Sequence, residues 1–172
     1  PTLSNCTASQ LRPADDGTSS RGIPVEVWSH FIQEPYPIYD IYGGFIEFLQ
    51  QQAGGDHEIV TFPYDWRGDL RTQAGLLGVL IKVTLKDTGY DRVDIVAHSM
   101  GGLVAKAFLG LAEVNEHVVR RMVFIATPHF GAPKAIVGLT KGIDDLQWLG
   151  LGLRPAVLAY AARNMPAAYQ LL

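Results

Sequence analysis

Val93-Asp94-Ile95-Val96-Ala97-His98-Ser99-Met100-Gly101-Gly102-Leu103-Val104 is an apolar, β-prone run that passes through one serine into an apolar, helix-prone run. Its centre fits the nucleophile-elbow pattern G-x-S-x-G with Ala97 in the first glycine position. The chemistry accounts for the spacing. A strand must reverse into a helix over about one residue, which holds the serine in a strained turn with its hydroxyl exposed at the carboxyl edge of the sheet. Residues two before and two after the serine come too close to carry bulk, so Ala97 costs one methyl there, while Gly101 and Gly102 let the new helix pack down. The backbone N–H of Met100 then points to where an oxyanion forms. The competing reading is a surface serine in an ordinary glycine-rich turn. Context favours the elbow, because Val104, Ala107, Phe108 and Leu111 recur at helical spacing after a run that reads as a buried strand.

Outward from this stretch, 172 residues predict one domain that buries roughly two thirds of its extended surface. A hydrophobic content of 48% with 18% charged residues is that of a globular chain. The formal net charge of −3, with no basic cluster, gives no electrostatic case for nucleic acid. A single cysteine, Cys6, excludes an internal disulfide and a cysteine-rich metal site. Metal-ligand spacing, phosphate-cradling loops and dinucleotide fingerprints are absent, so neither a metal nor a cofactor is expected. No apolar run reaches the ~18 to 20 residues of a membrane span, and no secretory signal pattern is present, which leaves the compartment unassigned. The first residue is Pro1 and the last two are Leu171-Leu172, which together predict a segment of a longer protein.

In chain order, residues 1–21 are polar and proline-containing and read as a loop or arm. Pro24-Val25-Glu26-Val27-Trp28 is a short strand candidate. A helix from near Tyr42, with Ile41, Phe45, Phe48 and Leu49 on one face, stops at Gly54-Gly55. Glu58-Ile59-Val60-Thr61-Phe62 reads as a second strand running into Pro63-Tyr64-Asp65-Trp66-Arg67. Asp69 caps a long helix whose stripe is Leu70, Ala74, Leu77, Ile81 and Leu85. The third strand ends at Ala97, the helix after Ser99 extends to about Glu113, and Arg121-Met122-Val123-Phe124-Ile125-Ala126 is a fourth strand, cut off by Thr127-Pro128. Strands alternating with crossover helices predict an α/β chain with a doubly wound, mainly parallel sheet of about four strands and sites at the strands' carboxyl ends. Beyond Gly131 the pattern mixes glycine with apolar residues, with a helix after Pro155. The division is then an arm over 1–21, a core segment over 22–133 and a cap or lid-like helical segment over 134–172.

The elbow, the Pro63-Tyr64-Asp65-Trp66-Arg67 run and the loop Ala126-Thr127-Pro128-His129-Phe130-Gly131-Ala132-Pro133 occur in an order and at distances that resemble the lecithin:cholesterol acyltransferase-like family of α/β-hydrolases, which includes lysosomal phospholipases. The likeness extends to Met165-Pro166-Ala167-Ala168-Tyr169-Gln170. It implies a serine acyl hydrolase or O-acyltransferase: Ser99 attacks the ester carbonyl of a lipid, the Met100 N–H receives the oxyanion, and the acyl group passes to water or another alcohol. The implied partner is a lipid ester. The apolar composition of the stretch over 146–153 fits a lid or lipid-facing surface and equally fits packing against another part of a longer protein.

Two departures from the family pattern stand out. The triad order on this fold is serine, acid, histidine, yet Asp144 and Asp145 are followed by no histidine, and His117 and His129 precede them. The second oxyanion donor belongs to a glycine-containing loop after an earlier strand, and no such loop precedes Gly22. A middle piece lacking strands on each side accounts for both; a non-catalytic scaffold or inactive fragment is the alternative. His98 is not assigned as base, because a side chain beside the nucleophile points away from it. Asp65 and Arg67 are read as pinning their loop, Trp66 as core or acyl-pocket lining, and His129 as a polar residue at the site rim.

Overall fold

The computed structural model describes residues 42–55, 57–111, 117–142 and 155–172. The chain divides into two compact units: of the described residues, 42–65 belong to one and those from Trp66 to Leu172 to the other.

The smaller unit contains helix α1, Gly43–Ala53. Gly54 ends it in the left-handed region at φ 59°, and Gly55 follows at φ 88°. Phe45 and Phe48 of its apolar face are exposed. The β-prone run at 58–62 is irregular chain and not a strand. Strand preference measures fit to a pleated surface with neighbours, and no residue of this unit among those described is in a strand to offer one. The strand candidate at 24–28 lies outside the described residues.

In the larger unit the order is α2 (Leu70–Thr88), β1 (Val93–His98), α3 (Gly101–Leu109), β2 (Val119–Ile125), α4 (Pro133–Lys141), α5 (Pro155–Ala162) and α6 (Pro166–Gln170). The two strands pair in parallel, with Asp94 opposite Arg121 and His98 opposite Ile125. The described sheet therefore has two strands where the sequence pattern predicts about four. Parallel pairing requires a crossover of a dozen or more residues, which α3 and its flanks supply.

Asp69 caps α2 as its sequence predicts, accepting from the N–H groups of Arg71 (2.8 Å) and Thr72 (3.1 Å). Leu70, Ala74, Leu77 and Ile81 are buried along the predicted stripe. Gly89, at φ 77°, closes the helix by donating to the Leu85 carbonyl. The helix after Ser99 is shorter than its pattern suggests, ending at Leu109 with Gly110 as C-cap. Glycine in a helix interior costs about 1 kcal/mol relative to alanine, and that penalty falls where the apolar spacing would carry the helix on. Val104, Ala105 and Phe108 are its buried residues besides Gly102.

Four residues separate the end of α2 from the start of β1, so its last turn lies near the amino end of that strand and its first turn toward the carboxyl end. The short α6 makes this arrangement explicit. The backbone N–H of Leu70 donates to Gln170 Oε1 (2.8 Å), and Gln170 Nε2 donates to Asp69 Oδ2 (2.7 Å). Ala167 N donates to the Arg67 carbonyl (3.4 Å), while Ala132 N, just past β2, donates to the Leu171 carbonyl (2.7 Å). One helix of five residues thus ties the start of α2 to the exit of β2. Arg163, between α5 and α6, donates from Nε to the Leu139 carbonyl (2.7 Å), satisfying a carbonyl in the last turn of α4. At the opposite edge of the sheet, Arg120 and Asp94 form an exposed two-point ion pair.

The Gln170 bridge predicts thermodynamic coupling across 101 residues of sequence. Asp69→Ala should lower unfolding free energy by about 1 kcal/mol through the lost cap. In a urea-unfolding double-mutant cycle, Gln170→Ala should couple to it by about 1 kcal/mol. Strict additivity would show that the bridge is not formed in solution.

Candidate active site

Ser99 is the first residue past β1 and has φ 52°, the left-handed region, without being glycine. Such a residue costs on the order of 1 to 3 kcal/mol and persists only where its surroundings over-determine it. Here the surroundings are hydrogen bonds. Ser99 N donates to the Ile125 carbonyl at 2.8 Å, extending the parallel ladder one residue beyond the strand. The Ser99 carbonyl then accepts from Gly102 N at 3.0 Å, and that of Met100 accepts from Leu103 N (2.9 Å) and Val104 N (3.3 Å). Strand bonding ends and helix bonding begins on the same residue.

Met100 already has helical dihedrals, φ −59° and ψ −24°. Its N–H belongs to the first turn, where helix geometry supplies no intrahelical acceptor and the macrodipole favours negative charge. Ser99 is half-buried, and Ala97 is buried.

The glycine pair has unequal duties. Gly101 is half-buried, whereas Gly102 is buried. A Cβ on Gly102 would run into the side chain of Thr127, 2.6 Å from its Cγ2 and 2.8 Å from its Cβ, with Oγ1 closer still. Close packing at the elbow is therefore against the exit of β2, two residues past its end. Thr127 is the residue that sequence reasoning passes over. Its hydroxyl is buried and has no hydrogen-bond partner among the described residues. The available signal was the abrupt Thr127-Pro128 stop to a β-prone run.

The exit of β2 is also strained. Ala126 has φ 50°, so both strands leave the sheet through a non-glycine residue with a left-handed backbone. Gly131, at φ 86°, is fixed by space as well: a Cβ there would lie 2.5 Å from the Leu172 carbonyl oxygen.

The histidines separate by position. His98 ends β1 and is exposed. His117 precedes β2 by two residues, at the amino end of the sheet, a full strand length or roughly 20 Å from the elbow. His129 is exposed on the loop past β2, its ring edge-on to Phe124 at 4.9 Å and 79°. Among the described residues after Ser99 there is no carboxylate, and Asp144 and Asp145 lie outside the described residues. So does the apolar stretch over 146–153. No described helix is long and apolar enough to cross a membrane. The described residues contain no group of three or more metal-ligating side chains.

In the Pro63-Tyr64-Asp65-Trp66-Arg67 run, Arg67 is fully buried and Asp65 nearly so, while Trp66 is 40% exposed. Trp66 is thus not the core residue its size suggests. Within the smaller unit, Phe62 and Tyr64 stack at 5.8 Å. Burial, helped by the nearby Tyr42 phenol, raises the Tyr64 pKa far above its ordinary value.

A family model described as lecithin:cholesterol acyltransferase matches residues 31–149, more than half of the chain. The chain belongs to the lecithin:cholesterol acyltransferase family. Two relatives from Arabidopsis thaliana match parts of it. Lecithin-cholesterol acyltransferase-like 4 is 36% identical over 96 residues, 52% of this chain and 18% of the relative. Phospholipase A(1) LCAT3 is 37% identical over 78 residues, 44% of this chain and 17% of the relative. The matched part spans under a fifth of each of these acyltransferase-family relatives. No solved structure matches. Membership in this family implies the α/β-hydrolase fold, of which the described residues show a two-strand parallel sheet with helices.

Two tests follow from this geometry. Gly102→Ala should cost about 1 to 3 kcal/mol in urea unfolding, the range for forcing an extra methyl into a packed site; no change would place Thr127 elsewhere. For Tyr64 the raised pKa means that folding favours the neutral phenol. Stability is present in full below about pH 10, where the unfolded phenol titrates, and falls as pH rises toward the higher folded value. Tyr64→Phe should flatten that alkaline decline, read as unfolding free energy against pH.

Proposed function

We propose that the protein is a serine acyl hydrolase or O-acyltransferase acting on lipid esters, with Ser99 as nucleophile and the Met100 N–H in the oxyanion hole. The observation that carries this reading is the left-handed backbone of Ser99 between a strand end and a helix start. A serine held there is presented at the carboxyl edge of the sheet, where this family's chemistry requires it. Membership in the lecithin:cholesterol acyltransferase family and the acyltransferase-like and phospholipase names of its relatives support the lipid ester class.

In the mechanism, the Ser99 hydroxyl adds to the ester carbonyl as a general base takes its proton. Negative charge develops on the carbonyl oxygen and is received by the Met100 N–H and the amino end of α3. The alcohol departs with a proton, leaving an acyl-serine, and water or a second alcohol attacks that ester to regenerate Ser99. No base or acid partner is assigned among the described residues. The proposed division assigns 22–133 to the core segment and 134–172 to a cap or lid-like segment, of which 143–154 lie outside the described residues. The alternative is a non-catalytic scaffold that keeps the elbow without acid and base.

A fluorophosphonate probe on the full-length protein separates the two. Labelling should map to Ser99 by peptide mass spectrometry, and Ser99→Ala should abolish it together with roughly a thousandfold or more of esterase activity. A full-length protein that takes no label would favour the scaffold, and label retained in Ser99→Ala would assign the nucleophile to another residue.

A further inference from the structure

The Ser99 carbonyl and the Met100 N–H are the two ends of one peptide group. That group is planar, and in the trans form its C=O and N–H point in opposite directions. Whatever fixes the carbonyl therefore aims the amide. The Ser99 carbonyl accepts from Gly102 N at 3.0 Å, so the direction of the Met100 N–H follows the position of Gly102.

Gly102 is in turn placed by Thr127. The three atoms nearest to where a Cβ on Gly102 would stand are Oγ1, Cγ2 and Cβ of Thr127, so both branches of the threonine bear on this one glycine. Two heavy atoms on Cβ leave a threonine few side-chain rotamers, which makes the fork a stiff one. Its base is held from the strand side: Ile125 O accepts from Ser99 N at 2.8 Å, and left-handed Ala126, at φ 50°, turns the chain between that bond and Thr127. Ser99, Gly102, Thr127 and Ile125 thus close a ring of contacts around the Ser99–Met100 peptide. The buried Thr127 hydroxyl has no hydrogen-bond partner among the described residues. What Thr127 gives Gly102 is accordingly the shape of its fork.

We propose that Thr127 is a positioning residue for acyl transfer: wedged against Gly102, it aims the Met100 N–H at the oxyanion through the Ser99–Met100 peptide. This rests on the serine hydrolase reading above. Thr127 touches neither substrate nor nucleophile in this role. Removing part of the fork lets the amino end of α3 settle toward the exit of β2, and the Ser99–Met100 peptide rotates with it. The oxyanion exists only in the transition state and the tetrahedral intermediate, so the loss falls on kcat and leaves KM in place.

The test is hydrolysis of p-nitrophenyl butanoate by the full-length protein, with rates taken per site titrated by fluorophosphonate. Inhibition by a trifluoromethyl ketone, whose reversible addition to Ser99 creates the same oxyanion, is measured alongside. Thr127→Ala should lower kcat and kcat/KM equally, by about tenfold, and raise the ketone Ki by about the same factor. Thr127→Val, which keeps the fork, should restore kcat to within about twofold of wild type. An unchanged kcat in Thr127→Ala, a loss confined to KM, or a Thr127→Val as impaired as Thr127→Ala overturns the proposal. Should Thr127→Ala fail to fold, Thr127→Ser, which loses only the methyl, decides by the same split between kcat and KM. A wild-type protein without ester hydrolysis and without fluorophosphonate labelling removes the hydrolase reading and this proposal together, whereas an active wild type matched by Thr127→Ala removes this proposal only.

Discussion

A strand can become a helix over one residue only where that residue accepts a left-handed backbone and the new helix carries nothing in the space it must enter. At Ser99 both conditions are met by neighbours outside the elbow itself. The Ile125 carbonyl fixes the Ser99 N–H, and Thr127 fills the space that a side chain on Gly102 would need. Each contact comes from the exit of β2, so the conformation of the serine is a property of the two-strand sheet and not of the local sequence alone. The strain is offset by a continuous ladder on one side and the first helical bonds on the other.

The exit of β2 has its own dependence, and it runs to the far end of the chain. Ala132 is bonded to Leu171, Gly131 is pressed against Leu172, and Gln170 reaches across to Asp69 and the first residue of α2. The polar contacts of α6 therefore brace the loops on either side of the elbow at once. A five-residue helix has little stability of its own, and here it is held by what it braces. The same bracing fixes the turn on which Phe130 stands.

Much of this was legible in the residues because the signals were local. Asp69 followed by an apolar stripe named the cap and buried face of α2, Pro155 marked the start of α5, and the elbow pattern named the serine turn and its glycines. What stayed hidden was non-local. The run at 58–62 has strand composition but no strand partner among the described residues of its unit, and Gly110 ends α3 before its apolar spacing does. The roles of Thr127 and Gln170 depend on partners 25 and 101 residues away, which no window along the sequence contains. The exposure of Trp66 likewise reflects the packing around it and not its size.

The proposed chemistry requires a serine oxygen beside the Met100 amide. Its most direct test is a crystal structure of the full-length protein carrying a phosphonate covalently attached at Ser99. The account predicts a positive φ at Ser99 and a phosphonyl oxygen about 2.7 to 3.1 Å from Met100 N, the range for an oxyanion donor. A phosphonyl oxygen turned away from that amide, or a Ser99 in ordinary right-handed or extended backbone, would contradict it.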